Sequence, residues 1–457
     1  MTEELLQRFV SRSPVTVMAR AVFEYAVSAK RLDKLFHDNA ILQYESELLF
    51  STAVEILGLT VLRSRNSVRE AYLAEKEAVG VTIKSLYDKL AKTEASVSRA
   101  LVQDTASQLM PVIQSMKAEL PPLLPGYRTK IIDGKHLDGT EHRLKETRAL
   151  HSCPLPGHLL VVLDPQFMMA TDVVPCEDAY TQERKLLDEI FPTFEENDLW
   201  IADRNFCTTG FLFGLAGAGA SFVIRQHGST LNGKRLVGKR RRAGRCDTGL
   251  IGEQIMEIDN PDTGELMTVR RITVELDQPA RDGETEIHVL TNLPDAVDAI
   301  TLCDLYRKRW SVETAFQELG QALDAEIDTL CYPRAALLAY CIALMMYNVL
   351  SVVKASMRSV HGDEALPEKI SGYCLASEIK SVYGGMMIAI PPEDWQARFQ
   401  GQTSRQLGAF LKKCASKIFL DRFKKAQRGP KRPPPKRSGG LRKKHVSTAR
   451  ILAERKK

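Results

Sequence analysis

The sequence predicts a mixed α/β or α+β fold in which helical regions flank a core that contains a sheet. Three observations lead to this fold class. Apolar residues recur at helical spacing through the first 120 residues, short apolar runs alternate with helical patterns from residue 129 onward, and helical periodicity returns after residue 299. The composition agrees, since 44% hydrophobic and 26% charged residues are typical of a globular chain.

The first 125 residues are predicted to form a helical N-terminal region. Apolar positions such as Met18 and Val22 repeat every three to four residues. Residues 81–97 are compatible with a helix-turn-helix, although ordinary helical packing explains their pattern as well. The prolines Pro121 and Pro125 then end the helical pattern.

Short apolar runs that end in an acid predict buried strands between residues 126 and 226. Thr129–Asp133 and Leu199–Asp203 are two of these runs, and a helix is expected over Thr181–Ile190 between them. Asp133 and Asp203 would each stand at the end of a strand, where functional residues cluster in open α/β sheets.

Residues 227–290 are predicted to be a β-rich insertion, because glycines divide them into short pieces and Met267–Leu276 alternates apolar and polar residues. The insertion carries a basic cluster, Lys239, Arg240, Arg241, Arg242 and Arg245, which either is a solvated loop or contacts DNA. One helix is expected over Ala299–Leu323. A second and more apolar helix, Ala335–Ser356, is expected to be buried rather than to span a membrane.

The charge is concentrated at the C-terminus. Residues 421–457 hold 15 Lys or Arg against two acids, and the other 420 residues hold 48 basic and 55 acidic residues. A basic tail without an apolar face favours nucleic acid as its partner, with a merely solvated tail as the alternative. The nine cysteines form no Cys-x-x-Cys pair, which suits reduced thiols in the cytosol.

Three acids are candidates for chemistry, Asp133, Asp203 and Glu313. In the helical segment that contains Glu313, Tyr306 and Arg309 precede it at a spacing that would place all three on one face. Carboxylates are the ligands that Mg²⁺ prefers, and two such ions can promote phosphoryl transfer. Each acid alone is also compatible with a structural role, and Asp138 and Asp164 compete with the first acid, although both suit turns.

Two other kinds of site are less well supported. A zinc site would have to use residues whose spacing matches no closed tetrahedral pattern. A nucleophile at Ser152 or Cys153 would lack an identifiable group to orient its base. The residues weighed for zinc are His136, His142, His151 and Cys153.

The three acids and their neighbours, in this order, resemble the DDE transposases of the insertion-sequence-four group. The resemblance rests on Ile-Asp133-Gly-Lys, on Ala-Asp203-Arg-Asn-Phe and on Tyr306-x-x-Arg309-x-x-x-Glu313, with 70 and 110 residues between successive acids. It covers residues 127–356 well and both ends loosely. It implies a ribonuclease-H-like catalytic core with a β-rich insertion, flanked by helical N- and C-terminal regions and a basic tail.

The resemblance also implies a domain organisation. Residues 1–125 would be a helical DNA-binding region and residues 227–290 the insertion. The core would comprise residues 126–226 and 291–358, the second part carrying the helix of the catalytic Glu. A helical C-terminal region, 359–420, and the basic tail, 421–457, would follow.

The chemistry implied by the resemblance is Mg²⁺-dependent cutting at the ends of an insertion sequence and joining to target DNA, with Mn²⁺ as a substitute metal. Asp133, Asp203 and Glu313 would be catalytic residues and metal ligands. Tyr306 and Arg309 would hold DNA phosphates, and Trp310 would stack on an extruded base or pack into the core. The partners would be double-stranded DNA and a second copy in a synaptic homodimer, without a membrane, in the bacterial cytoplasm at the nucleoid.

One position departs from the family's signature. The family has Lys seven residues after the Glu, where this chain has Gly320. A basic residue elsewhere, such as Lys308, would have to replace it, or the chain would be a weaker enzyme. Two alternatives therefore stay open, a catalytically silent DNA-binding copy acting as a repressor and a structure-specific nuclease on the same fold.

Overall fold

The computed structural model describes residues 3–43, 47–140, 144–148, 154–227, 231, 234–280, 283–426 and 446–455. In this part of the chain, eight helices precede the first strand, as the sequence predicted for the N-terminal region. They are α1 Glu3–Arg12, α2 Pro14–Ala26, α3 Ala29–Asn39, α4 Phe50–Val61, α5 Val68–Ala74, α6 Lys76–Val79, α7 Ile83–Lys92 and α8 Ala95–Ser115.

Most of the strands, and one helix, lie between residues 128 and 291. They are β1 Arg128–His136, β2 Pro154–Leu155, β3 His158–Asp164, β4 Met169–Cys176, β5 Asp198–Ala202, α9 Thr209–Gly217, β6 Ser221–Arg225, β7 Arg235–Cys246, β8 Gly249–Asp259, β9 Leu266–Leu276 and β10 Glu286–Thr291. The helix predicted over Thr181–Ile190 is a shorter 3₁₀ helix, Glu183–Glu189.

Helices dominate again after the sheet. They are α10 Ala299–Arg307, α11 Trp310–Ala322, α12 Pro333–His361, α13 Gly372–Ala389, α14 Pro392–Phe399 and α15 Ser404–Ala415, and the two-residue strand β11 Val446–Ser447 and α16 Thr448–Glu454 follow. The single helix predicted over Ala299–Leu323 is in fact two helices. The chain turns at Lys308 and Arg309, although neither glycine nor proline marks the break.

Nine strands form one mixed sheet in the order β4-β3-β1-β5-β6-β10-β9-β8-β7. β3 runs antiparallel to β1 and β4, whereas β1, β5 and β6 run parallel to one another. β10 joins β6 in antiparallel orientation, so the strands of residues 227–290 extend the same sheet instead of forming a second one. β7 is an edge strand along which most side chains are exposed.

The two faces of the sheet carry different cores, because side chains alternate along each strand. Ile131 and Ile201 point into the larger core, which includes α12 and most helices of the first 120 residues. Ile132 and Ala202 point to the other face, where α9 and the 3₁₀ helix pack. α12 is long and apolar enough to cross a membrane, and its apolar stretch is entirely buried in the protein, as predicted for Ala335–Ser356.

The last described residues return to the core. β11 pairs in parallel with β2, and Asp178 accepts hydrogen bonds from Ser447 (2.6 Å) and Arg450 (2.7 Å). Arg455 forms an ion pair with Glu146. Most of the basic tail, residues 427–445 with 456 and 457, lies outside the described residues. The described segment 446–455 packs against the rest of the protein, and its Arg450 and Arg455 are paired with acids.

Candidate active site

The first two acids are brought together by the pairing of two parallel strands. Ile132 on β1 lies opposite Ala202 on β5, so the next residues, Asp133 and Asp203, are neighbours on strands about 4.8 Å apart. Side chains alternate between the two faces along a strand, and Asp133 is two residues after Ile131. Asp133 therefore lies on the same face as Ile131, which is the face of the larger core. Asp133 lies inside β1, three residues before its end, and not at the end of the strand as predicted.

Asp203 is fixed by the turn that follows β5. Its backbone is extended, and its side chain caps the 3₁₀ helix Arg204–Phe206 by accepting a hydrogen bond from the backbone N–H of Asn205 at 2.7 Å. This cap holds one carboxylate oxygen and leaves the other for a ligand.

Glu313 is connected to Asp133 by a shared ion-pair partner, Arg309. The guanidinium of Arg309 donates one hydrogen bond to Oδ2 of Asp133 (2.9 Å) and another to Oε1 of Glu313 (2.7 Å). The break between α10 and α11 places Arg309 at the start of α11, and only 11% of its side chain is exposed. A buried cation therefore joins the first and third acids, which are 180 residues apart in the sequence.

The ionisation of Asp133 is strongly perturbed. Burial raises the pKa of Asp133 from 3.8 to about 7, Arg309 counteracts this increase, and the neighbouring charges of Asp203 and Glu313 raise the pKa further. Only 16% of this side chain is exposed. The protein thus holds a carboxylate whose negative charge is not fully compensated by Arg309, an environment that favours binding of an additional cation.

Tyr306 lies behind Arg309 rather than on an open surface. Burial raises the pKa of Tyr306, and its side chain is hydrogen-bonded to that of Arg309. The phenol therefore helps to position the guanidinium. Tyr306 and Glu313 lie on two separate helices, and both side chains are hydrogen-bonded to Arg309 between them.

Trp310 is the first residue of α11, and 61% of it is exposed. The guanidinium carbon of Arg309 lies 5.8 Å from the centre of the indole ring. The alternative in which this side chain packs into the core was therefore wrong. A large exposed aromatic ring directly beside the acids is free to stack on a ligand.

Three arginines of the basic cluster differ in their surroundings. Arg240 forms ion pairs with Glu275 (2.7 Å) and Glu286 (2.9 Å), so its charge is largely neutralised within the protein. Arg241 and Arg242 are exposed on the edge strand β7, and in the described part of the chain neither forms an ion pair. The basic surface of β7 therefore depends on these last two residues more than on Arg240.

Glu183 is a residue near the site that the sequence analysis missed. Its carboxylate lies over Gly134, where an added Cβ would collide with Oε1, and it accepts a hydrogen bond of 3.5 Å from Asn205. Burial raises the pKa of Glu183, and the charge of Asp203 adds to this effect. No motif surrounds Glu183 in the sequence, so only the fold reveals it.

Gly320 is exposed, and a Cβ added there would meet open space. Arg63, from the end of α4, donates to the carbonyl oxygens of Gly320 and Leu323, both at 3.3 Å. This arginine supplies a positive charge near the position where the family's signature has Lys. Lys308, the residue suggested from the sequence, instead lies exposed at the break between α10 and α11.

The competing acids lie elsewhere. Asp164 is near the opposite end of β1, where it accepts hydrogen bonds from the backbone of Gln166 and Phe167, as expected of a turn residue. Asp138 is exposed beyond the end of β1. Of the residues weighed for zinc, His136 stacks on His158 at 4.9 Å between ring centres, while His142, His151 and Cys153, together with Ser152, lie outside the described residues.

The donor atoms of the site are oxygens, the type that Mg²⁺ and Mn²⁺ prefer. In the described part of the chain, no three His, Cys, Asp or Glu side chains are grouped closely enough to hold a metal ion as they stand. The guanidinium of Arg309 lies between Asp133 and Glu313 and forms ion pairs with both, so it occupies the position that a metal ion would need. A divalent metal would have to displace this guanidinium to reach both acids.

Comparisons with known proteins place these residues in a family context. Residues 124–349, just under half of the chain and including all three acids, match the model of the transposase DDE domain. No curated protein matches the chain. Among solved structures, it is similar to a piggyBac transposase in a synaptic complex with hairpin DNA, with 11% identity, a TM-score of 0.39, and coverage of 84% of this chain and 85% of that chain. Residues 124–349 are thus similar to a transposase DDE domain.

Proposed function

We propose that this protein is a DNA transposase of the insertion-sequence-four group, which cuts at the ends of an insertion sequence and joins them to target DNA. One observation carries the proposal. Three acids from distant parts of the sequence meet at one place, with Asp133 beside Asp203 by strand pairing and Glu313 attached to Asp133 through Arg309.

The strand order supports a ribonuclease-H-like core. In the series β4-β3-β1-β5-β6, three antiparallel strands are followed by two strands parallel to β1. The acids lie on the central strand β1 and directly after its neighbour β5. In open sheets of this kind, ligands bind at the carboxyl ends of the parallel strands.

Asp133, Asp203 and Glu313 would hold Mg²⁺, with Mn²⁺ as a substitute. Bound metal would activate the attacking oxygen and stabilise the leaving one in two-metal phosphoryl transfer. Asp133 and Asp203 differ in how ready they are to bind a metal. Asp133 must lose the proton that burial favours, and Asp203 is already oriented by its cap on Asn205.

On DNA binding, the guanidinium of Arg309 would leave the carboxylates of Asp133 and Glu313 and bind a DNA phosphate. In the free protein its guanidinium contacts two carboxylates, and a DNA phosphate is an equally suitable bidentate partner. Tyr306 would keep the side chain near the cut while it changes partner. Trp310, exposed beside it, would stack on a base that leaves the duplex.

The proposed partners are double-stranded DNA, at the element ends and at the target, and a second copy of the chain in the synaptic complex. Arg241 and Arg242 would contact DNA from the edge strand. The proposed location is the bacterial cytoplasm, at the nucleoid.

An excision assay tests the proposal. The gene would be placed between its native flanking DNA, and excision would be compared for the wild type and Glu313→Gln, a variant of nearly the same volume. Excision by the wild type alone supports the proposal. Binding of the element ends without any Mg²⁺-dependent cut would instead indicate a silent DNA-binding copy, and cutting without joining would indicate a nuclease.

A further inference from the structure

A cavity of about 550 Å³ opens where the sheet passes from the parallel strands into residues 227–290. It is formed by the end of β6, the start of β7, and parts of β8, β9 and β10. The residues that line it are Arg225, Gln226, Lys234, Arg235, Leu236, Met256, Arg271, Glu284, Glu286 and His288. These residues lie on five strands and in the segments between them, so no single sequence motif contains them.

The charge of this cavity favours an anion. Four of its residues are Lys or Arg and two are Glu. Glu284 forms ion pairs with Arg204 and Arg225, and Glu286 with Arg240, so both acids are already engaged with arginines, two of which lie outside the cavity lining. Arg225 is thus paired with Glu284, and Arg235 is paired with Glu257, whereas Arg271 forms no ion pair with the described residues.

Arg271 is the residue that points to a ligand. It is half-buried, and in the described part of the chain no carboxylate forms an ion pair with it. Its Nε donates to Oε1 of Gln226 at 2.7 Å, and this is the one hydrogen bond that its side chain forms with the described residues. Burial lowers the pKa of Arg271, and the charge of Glu286 counteracts this decrease only in part. Phosphate oxygens are the partners that such a fork of N–H donors matches best.

The cavity adjoins the proposed active site. Glu284 connects Arg225, in the cavity, with Arg204, the residue directly after Asp203, through a contact of 2.9 Å to Arg204. The charge of Arg225 also acts on Tyr306, which holds Arg309. A chain of ion pairs therefore joins the lining of the cavity to the turn that holds Asp203.

The size and lining favour one nucleotide rather than a duplex. A volume of about 550 Å³ is in the range of small-ligand pockets, about 300–1,000 Å³. Met256 and Leu236 supply apolar surface beside the arginines. Burial lowers the pKa of His288 to about 4, so its imidazole is neutral at pH 7 and is suited to contact a base.

We propose that this cavity is a subsite for one unpaired nucleotide of the DNA strand that leaves the cut, with its phosphodiester on Arg271 and its base against Met256 and His288. The subsite rests on the proposed transposase function, and it adds the class of ligand, an unpaired strand, that the acids alone do not specify.

The test is a binding measurement without metal, so that it does not require cleavage. Fluorescence anisotropy in EDTA would compare a blunt duplex of the element end with the same duplex carrying a three-nucleotide single-stranded overhang. The variant Arg271→Gln removes the charge, Arg271→Lys keeps it without the fork of donors, and Arg245→Gln is the matched control. Arg245 has the same side chain on β7 but is outside the cavity, paired with Asp277 at 2.5 Å.

We expect Arg271→Gln to weaken binding of the overhang about tenfold and to leave the blunt duplex unchanged, with Arg271→Lys in between. In a plot of log affinity against log salt concentration, the slope for the overhang would become shallower by about 0.7, because one phosphate of the single strand is no longer neutralised. Arg245→Gln would not discriminate between the two DNAs. Equal losses on both DNAs, or no loss on either, would overturn the subsite. Because no metal is present, a protein that binds the overhang but never cuts DNA would contradict the proposed function and leave the subsite intact.

Discussion

Replacing Asp133 by Asn should make the metal-free protein more stable, and increasingly so as the pH rises. Burial holds the pKa of Asp133 at about 7, compared with 3.8 in an unfolded chain. Between these pH values the native state keeps a proton that the unfolded state has lost. Wild-type stability therefore falls as the pH rises through this window, whereas Asn does not titrate.

The size of the effect follows from the pKa difference. Each pH unit in the window corresponds to about 1.36 kcal/mol, and about two such units lie between pH 5 and pH 7. Only 16% of the side chain is exposed, so little of the effect is lost to solvent screening. The stability gained by Asp133→Asn should thus grow by about 2–3 kcal/mol from pH 5 to pH 8.

Urea denaturation in EDTA at pH 5 and pH 8 measures this difference for the wild type and the variant. Asp188→Asn is the control, because Asp188 is an exposed acid of the 3₁₀ helix Glu183–Glu189 and should show no such growth. If Asp133→Asn increased the free energy of unfolding by the same amount at pH 5 and pH 8, the reasoning that the ionised carboxylate of Asp133 destabilises the native state would be refuted.

Three further results are expected. Arg309→Ala should bind Mn²⁺ several-fold more tightly in the absence of DNA, measured by paramagnetic resonance titration, because the bridging cation is gone; unchanged affinity would show that the guanidinium does not compete with metal. The double variant Arg241→Gln, Arg242→Gln should lower the salt dependence of duplex binding by about 2, whereas Arg240→Gln, already ion-paired, should change it little; equal effects would contradict this distinction. Trp310→Ala should alter the free energy of unfolding by less than about 0.5 kcal/mol while reducing excision at least tenfold; a large loss of stability would assign the ring to packing.

Much of the secondary structure was predictable because local signals determine it. The strand β9, Leu266–Leu276, covers the segment Met267–Leu276 whose alternation predicted a strand, and the helical pattern of Ala335–Ser356 predicted the buried helix α12. Asp203 directly follows a strand, as its position after an apolar run indicated.

Other features depend on contacts that are distant in the sequence. The helical periodicity continues across Lys308 and Arg309, but one helix ends and the next begins there. Arg309, at this break, bridges Asp133 and Glu313. Glu183 reaches the site only because Gly134 leaves room for it. The pairing of Arg240 with Glu275 and Glu286 likewise requires the neighbouring strands, so the sequence could not separate it from Arg241 and Arg242.

The central claim is that Asp133, Asp203 and Glu313 form one metal-dependent centre for cutting and joining DNA. Purified protein incubated with element-end DNA and Mg²⁺ tests it most directly, with the wild type, Glu313→Gln and an EDTA control analysed for cut ends and for products joined to a target. We expect cut and joined products from the wild type with Mg²⁺ alone, and DNA binding without either product from the variant. Cutting by Glu313→Gln at the wild-type rate, or cutting by the wild type in EDTA, would contradict the account.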